Sequence, residues 1–508
     1  MTKLTSKKKS NQPISKWVFQ KKSSSKKSAA SPPIKLPEDC NNPQLLVKIF
    51  NFLEIKNLLK FSTVCKKWNK LINPLINKRL RLLRPNYISS GYHDSNLSRD
   101  EQFLEEVGEC IRIKGKYSNH IKEFKLNKRM SVDLSIDFFE TFCKLTKLHV
   151  DNIKLSQDLL ISCIKPLVNL KTLDLSKLKI TENPNNRFQL EAIKLPDSLT
   201  KLYFTEVQFL GDPQLALETL NSHSNLTEFR IEVTNIPELL TPLKQNYPTL
   251  EKLLICDGCY QNFIINSDEV IKNNEQILEL EIHSIAIGTN LMNLINEKLI
   301  KLKVLILNRI LTTYSDHSED FRFLKFTQLE KLVIYWYGLE PASIDSILTH
   351  SPMLNDLQIQ IGSEYASLTP IIRDRCKNLK SLTFDVIQVN SLGFRENLSL
   401  NDFFDLELTK TNYPMANNLT SLNFGNFNLL NLQPDHLNQF ENLKIIQFDN
   451  FDSKFNLGEV NLIKENFSKF RGWKLKLKTY SKYLSGYLIR DNNKIKPFNW
   501  ESYHYWNQ

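Results

Sequence analysis

A six-residue pattern, apolar-x-x-apolar-x-apolar, recurs along most of this chain and constrains its fold more than any other feature. Examples are LTKLHV from Leu145, LKTLDL from Leu170 and LTSLNF from Leu419. The first apolar residues of thirteen such units lie at positions 121, 145, 170, 199, 226, 250, 277, 302, 329, 354, 379, 419 and 443. All but one of the steps between them are 24 to 29 residues long. A unit of this length cannot bury its own apolar face, so neighbouring units must stack.

The stacked units predict an α/β solenoid. In each unit the alternation predicts a short strand whose apolar side chains point inward and whose x positions face solvent. Five return segments carry helical patterns: Leu159–Pro166, Asp268–Asn274, Leu291–Leu299, Pro341–His350 and Thr369–Cys376. We therefore predict a curved array with a concave parallel sheet and helical or irregular returns, and its period is typical of leucine-rich repeats. The long step from 379 to 419 indicates an inserted unit at Phe403–Leu408.

A second feature is a short helical module ahead of the array. Leu45, Leu46, Ile49, Phe50 and Leu53 recur at spacings of three and four, which places them on one helical face. Asn42 and Pro43 suit the start of that helix. Further helices are predicted around Leu58, Leu59 and Phe61, and around Val64, Cys65, Trp68, Leu71 and Ile72, ending at Asn73–Pro74. Because three helices this short form a poor core alone, we expect part of their apolar surface to dock on another protein.

The module resembles the F-box. Four elements match the family pattern in order and spacing: Ile49-Phe50, Phe52-Leu53, Leu58-Leu59 and Val64-Cys65-Lys66-Lys67-Trp68. Asn57 stands where the family has an Asp cap, and the opening Leu36-Pro37-Glu38 lies further upstream than usual. Across residues 36–470 the order of module and repeats resembles F-box proteins of the leucine-rich-repeat class.

This resemblance implies a substrate-recognition subunit of a Skp-cullin-F-box type ubiquitin ligase. Its expected partners are a Skp-type adaptor, through it a cullin, and a protein substrate. The residues implied in adaptor binding are Pro43, Leu45, Leu46, Ile49, Phe50, Leu53, Leu58, Leu59, Val64 and Trp68. Such a receptor makes no covalent bond itself, so we expect no enzyme activity.

The x positions of the repeats are where a substrate would bind. Seven of them are candidate substrate-binding residues: His149, Asp174, Tyr203, Arg230, Tyr335, Trp336 and Gln358. Their mixed polar character names no ligand class. The cluster of Tyr335, Trp336 and Tyr337 is either an interface hot spot, since Tyr and Trp dominate such surfaces, or a set in which Trp336 fills a turn.

Charge is concentrated at the front of the chain. The net charge is +12, but residues 1–30 hold nine Lys and no acid, and residues 31–90 add +8, which leaves −5 for the remaining 418 residues. Residues 1–32 are predicted to be a disordered basic tail. Two interpretations of the tail remain open, a nuclear import signal and a merely solvated run. Nucleic acid would be contacted only through this tail, which supports an alternative function as a nuclear scaffold on chromatin.

Other classes of function find no motif. The chain has no GxxxxGK, GxSxG or HExxH sequence, and Cys256 and Cys259 form a lone CxxC, so we expect no cofactor and no metal. Scattered cysteines and the lack of a long apolar run predict reduced thiols in the nucleus or cytoplasm and no membrane partner.

The predicted domains are the tail at 1–32, the F-box module with a connecting helix at 33–90, the repeats at 91–470 and a C-terminal cap at 471–508. In the cap, alternating Lys and Leu after Trp473 predict an edge strand. Tyr483–Ile489 and Ile495–Phe498 suit a hairpin. Alternatively, the aromatic end at Trp500, Tyr503, Tyr505 and Trp506 folds over the concave face.

Overall fold

The computed structural model describes residues 42–80, 82, 99–181, 194–210, 213–232, 237–257, 267–284, 287–309, 321–336, 339–361, 365–386, 398–399, 414–425, 427–428, 432, 434–437, 440–450, 457–479 and 484–490. The chain divides into two compact units, Met1–Leu75 and Ile76–Gln508. The predicted basic tail, the inserted unit at Phe403–Leu408 and the aromatic C-terminal end lie outside the described residues. None of the helices in the described part is long and apolar enough to cross a membrane.

The first unit contains three short helices, as the sequence predicts. They are α1 (Pro43–Asn51), α2 (Ile55–Ser62) and α3 (Lys66–Ile76), whose last residue follows the unit boundary. The side chain of Asn42 caps α1 by accepting a hydrogen bond of 2.9 Å from the backbone N–H of Gln44. Pro43 occupies the first turn, where its missing N–H costs no hydrogen bond.

The second unit is a solenoid built on one sheet. Its strands are β1 (Arg79–Leu80), β2 (Glu123–Leu126), β3 (Lys147–Asp151), β4 (Lys154–Ser156), β5 (Thr172–Ser176), β6 (Lys179–Thr181), β7 (Lys201–Thr205), β8 (Gln208–Leu210), β9 (Glu228–Glu232), β10 (Lys252–Cys256), β11 (Glu279–His283), β12 (Val304–Asn308), β13 (Lys331–Tyr335), β14 (Asp356–Ile361), β15 (Ser381–Val386), β16 (Leu398–Ser399), β17 (Ser421–Gly425), β18 (Phe427–Asn428), β19 (Ile445–Asn450), β20 (Trp473–Thr479) and β21 (Leu484–Arg490).

Sixteen of the described strands form this sheet, in the order β1-β2-β3-β5-β7-β9-β10-β11-β12-β13-β14-β15-β17-β19-β21-β20. Pairing is parallel as far as β19, and β21 then runs antiparallel to both β19 and β20. Each of the thirteen predicted units contributes a strand that begins two residues after its first apolar residue. The predicted fold class is thus confirmed by the strand order and register. β4, β6 and β8 form a second, small parallel sheet, and β16 pairs with β18.

The returns between strands are mostly helical. They are α4 (Arg99–Lys114), α5 (Val132–Thr141), α6 (Gln157–Ile164), α7 (Gln214–Asn221), α8 (Asp268–Asn273), α9 (Thr289–Lys298), α10 (Pro341–Thr349), α11 (Tyr365–Arg375), α12 (Pro414–Asn418) and α13 (Leu457–Phe467). Short 3-10 segments occur at Gly115–Tyr117, Pro237–Lys244 and Pro434–Leu437. All five helical returns read from the sequence are present within a few residues of their predicted bounds.

The core lies between the sheet and these returns. The second residues of neighbouring strands are paired in register and buried, as Leu280, Leu305 and Leu332 illustrate. Each fully buried leucine of this kind contributes roughly 1.5–3 kcal/mol. The fourth residues of the strands form a second buried row, so two apolar rows run the length of the array.

Side-chain hydrogen bonds also join successive repeats. Asn225, Asn378, Asn418 and Asn442 each stand directly before the first apolar residue of a unit. Each donates from its Nδ2 to a backbone carbonyl of the preceding repeat, over 2.6 to 3.1 Å. These bonds satisfy carbonyls at the turns that the parallel ladder leaves open.

At the antiparallel end of the sheet, Gly486 marks a position without room for a side chain. A Cβ there would lie 2.6 Å from Cε2 of Phe448 and 2.7 Å from Cδ2 of Leu477. We expect Gly486→Ala to lower the free energy of unfolding by about 1–3 kcal/mol because the buried ring must move. Thermal unfolding followed by circular dichroism measures the change.

Gly108→Ala is the matched control. Gly108 lies inside α4 and no atom lies within 4 Å of the position its Cβ would take. Alanine there should raise stability by about 0.5–1 kcal/mol, since glycine is unfavourable inside a helix. Equal effects of the two substitutions would contradict the packing argument.

Candidate functional site

The first candidate surface is the apolar face of the three-helix unit. Along α1, Leu45, Ile49 and Phe52 follow a spacing of four and three residues, and all three are exposed, Phe52 to 90%. Exposed aliphatic residues continue on α2, where Ile55 and Leu59 are one turn apart. A contiguous apolar surface of this kind typically marks a site of protein–protein interaction.

The opposite faces of the same helices form the interior of the unit. The ring of Phe50 lies 5.3 Å from that of Trp68 and 6.4 Å from that of Phe61, and the latter two are 5.7 Å apart. Leu46 and Leu58 are buried. Edge-to-face contacts of this type hold aromatic rings beyond the effect of area alone.

This arrangement corrects part of the predicted adaptor site. Leu46, Phe50 and Leu58 were predicted to bind an adaptor, but they are core residues in this structure because three helices need their own interior. Leu53 and Trp68 are half-buried, and Pro43, Leu45, Ile49, Leu59 and Val64 are exposed. The surviving candidates are therefore the exposed half of the predicted set.

Three exposed residues were absent from the prediction. Phe52, Ile55 and Phe61 belong to the same apolar surface. A signal for Ile55 was available in the sequence, since Ile55 and Leu59 are four residues apart and share a helical face.

The second candidate surface is the polar face of the sheet. His149, Asp174, Tyr203 and Arg230 occupy the third positions of β3, β5, β7 and β9, and the register places each beside the next. Nδ1 of His149 lies 2.8 Å from Oδ2 of Asp174. The sequence prediction thus selected four residues that form one continuous row.

Charged pairs neighbour this row. The Tyr203 hydroxyl donates to Oε1 of Glu228 over 2.8 Å, and the Lys201 ammonium also donates to Glu228. Burial raises the pKa of Glu228, but the two hydrogen bonds outweigh burial and hold the pKa below its usual value. Burial and the hydrogen bond to Glu228 raise the pKa of Tyr203, so its hydroxyl remains a donor. Arg230 pairs with Glu232, whose pKa is nevertheless raised by burial.

Toward β19 the same row is uncharged and closed to solvent. Gln358 is 4% exposed and Thr383 is 1% exposed, and Asn423 and Gln447 are buried too. Nδ2 of Asn423 donates to Oγ1 of Thr383 over 2.9 Å, and the Tyr335 hydroxyl donates to Oε1 of Gln358 over 3.2 Å. Gln358 is therefore not available to a ligand in this conformation.

Trp336 also differs from its proposed role as a surface hot spot. It is 1% exposed, and its ring lies 5.8 Å from that of Phe321. The indole follows the last residue of β13 and turns into the core, which is the turn-filling alternative. Tyr335 remains half exposed on the polar face, and Tyr337 lies outside the described residues.

No catalytic or metal-binding cluster is found within the described ranges. No group of three or more His, Cys, Asp or Glu side chains there has the geometry to hold a metal ion. Burial raises the pKa of the Cys163 and Cys376 thiols to about 12, so both stay protonated and unreactive at neutral pH. Cys256 of the lone CxxC is buried, and Cys259 lies outside the described part.

Comparison with known proteins identifies the helical unit. Residues 34–80 match the model of the F-box domain, so the chain carries an F-box domain at this position. The match includes the upstream Leu36-Pro37-Glu38, which precedes the described residues. No curated protein sequence matches the chain significantly.

Among solved structures, two similar folds are a leucine-rich-repeat protein of Leptospira interrogans and a chain of the yeast Rad7 and Elc1 complex. Both are 14% identical to this chain and cover 68% of it and 82% of their own length. Their TM-scores are 0.32 and 0.33. The assignment of a repeat solenoid rests instead on the strand order and register of this chain, and together with the F-box match it confirms the resemblance to F-box proteins of the leucine-rich-repeat class.

Proposed function

We propose that this F-box protein is the substrate-recognition subunit of a Skp-cullin-F-box type ubiquitin ligase. One observation carries the proposal: the F-box domain presents large apolar side chains to solvent although its interior is already filled by other residues. Leu45, Ile49, Phe52, Ile55 and Leu59 are the central members of this face. A soluble domain that needs these residues for its own stability would bury them.

The adaptor is the partner that this face would bind. Covering a half-exposed leucine or isoleucine contributes roughly 1 kcal/mol, so five or six such residues together can support tight binding after the cost of association. A Skp-type adaptor would in turn connect the chain to a cullin. Phe52, the most exposed of these residues, is the natural anchor because aromatic side chains dominate interfaces.

The polar face of the sheet is the proposed substrate site, and its β3–β9 part is favoured over its β14–β19 part. The third-row residues His149, Asp174, Tyr203 and Arg230 are partly exposed, whereas Gln358 and its successors in the row are buried. A substrate can exchange hydrogen bonds with side chains only where they reach solvent. Substrate selection is therefore assigned to the first repeats.

The mechanism is positional. Holding a substrate on the repeats and an adaptor on the F-box domain raises the effective concentration of substrate lysines beside a loaded ubiquitin carrier. The chain itself would form and break no covalent bond.

The test is assembly of the full chain with purified adaptor and cullin. We expect the full chain to bind a Skp-type adaptor with a submicromolar Kd, equivalent to a binding free energy beyond about −8 kcal/mol. Size-exclusion chromatography should then show one complex of all three proteins. Absence of any complex would remove the ligase role and favour the nuclear scaffold, whose mark is salt-sensitive DNA binding that disappears when residues 1–30 are deleted.

A further inference from the structure

The last strand of the sheet has an edge that no described residue pairs with. β20 follows β21 at the end of the strand order, and it is seven residues long. The outer edge of such a strand presents backbone N–H and C=O groups at regular spacing. A second strand can add to these groups unless side chains prevent it.

The charge of this end is strongly one-sided. Residues 466–490 contain seven Lys or Arg and no Asp or Glu, although the chain beyond residue 90 carries net negative charge. Lys474 and Lys476 on β20 are exposed. The register pairs them with Ile489 and Tyr487 of β21, and the ammonium of Lys476 lies 5.7 Å from the centre of the Tyr487 ring.

The alternate residues of β20 are apolar and only half covered. Trp473, Leu475 and Leu477 pack against the core, and Leu475 is paired with the fully buried Leu488. Successive side chains of a strand point to opposite faces. The outer edge of β20 therefore offers a row of lysines on one face and a row of incompletely buried apolar side chains on the other.

We propose that the edge of β20 binds an extended acidic segment of another protein as an added β-strand. The segment would alternate acidic and apolar residues, with acids opposite Lys474 and Lys476 and apolar residues beside Leu475 and Leu477. Opposite charges in directly facing positions stabilise a strand pair, and like charges destabilise it. The partner is thus defined by both its charge and its period of two.

The same argument disfavours other occupants. A second copy of β20 would place lysine against lysine, which is how edge strands avoid self-association. The predicted hairpin arm Ile495–Phe498 contains Lys496, of the wrong charge, and Pro497, which has no N–H to donate. The surface is separate from the apolar face of the F-box domain, so the inference does not depend on adaptor binding.

The experiment uses the full chain and three fluorescent nonapeptides. One alternates Val and Glu, one has the same composition with Val and Glu in separate blocks, and one alternates Val and Lys. In fluorescence anisotropy we expect the alternating Val–Glu peptide to bind at least tenfold more tightly than the block peptide, with affinity falling as salt rises. Comparable binding of the two isomers would show simple charge attraction and overturn the strand-addition proposal.

A charge exchange supplies the second arm. The double substitution Lys474→Glu, Lys476→Glu should weaken binding of the Val–Glu peptide at least tenfold and create binding of the Val–Lys peptide. The matched control Lys377→Glu, Lys380→Glu changes two exposed lysines near β15 by the same charge and should leave both affinities unchanged. No binding of the Val–Glu peptide to the native chain, or unchanged binding after the exchange at β20, would refute the site.

Discussion

Replacing both Ile49 and Leu59 with aspartate is expected to weaken adaptor binding at least 100-fold while the F-box domain stays folded. Both side chains are about half exposed, so neither contributes much to the interior of the unit. In the complex each would be covered, and a buried aspartate without a partner is strongly unfavourable. A 100-fold loss corresponds to about 2.7 kcal/mol. Isothermal titration calorimetry with purified adaptor measures it.

Two control variants separate binding from folding. Lys66→Asp, Lys70→Asp places two aspartates on exposed positions of α3 and should bind nearly as the native chain does. Leu58→Asp, one residue from Leu59, should instead unfold the domain, because Leu58 is 4% exposed and Leu59 is 50% exposed. If Ile49→Asp, Leu59→Asp binds normally, the apolar face is not the adaptor site.

The second large effect is expected from Phe138→Ala, which should lower the free energy of unfolding by about 3–5 kcal/mol. Phe138 lies in α5 and is fully buried. Its ring centre is 4.6 Å from that of Phe124, 5.2 Å from that of Phe139 and 4.8 Å from that of Phe142. Truncation removes these contacts and leaves a cavity in the first repeats. Urea unfolding followed by circular dichroism measures the loss.

The matched control is Phe326→Ala, since Phe326 is largely exposed and its loss should cost less than about 0.5 kcal/mol. Hydrogen exchange adds a sharper criterion. Each repeat contacts mainly its neighbours, so Phe138→Ala should accelerate amide exchange in β2 and β3 and leave β15 and β17 unchanged. Equal acceleration throughout the sheet would contradict a locally stabilised array.

Much of the fold was predictable because its signals are local and repeated. The apolar residues that open each unit predicted every strand start, since a strand needs only its own alternation and a neighbour with the same period. The F-box match was predictable for a related reason: Val64, Cys65 and Trp68 have fixed spacing within one short segment. The asparagine hydrogen bonds between repeats were missed, because Asn225 and Asn442 give no signal until neighbouring carbonyls are placed beside them.

The candidate sites were predictable only in part. Residue type and period placed His149 and Asp174 on the polar face, and the register then brought them together. The same period placed Gln358 on that face too, yet Gln358 is buried, because exposure depends on what lies over a strand as well as on its direction. Trp336 follows a strand end, where alternation no longer predicts direction, and only packing against Phe321 decides its position.

The sequence by itself determined the repeat solenoid, the F-box domain and the order in which they occur, because helical and strand periodicity are properties of neighbouring residues. Tertiary structure alone decided which apolar residues of the F-box domain face solvent. Leu58 and Leu59 are identical side chains 100° apart on one helix, and either could have been the interior one. Packing of α2 with Phe50 and Trp68 buries Leu58 and leaves Leu59 for a partner, and that choice separates the core of the domain from its binding surface.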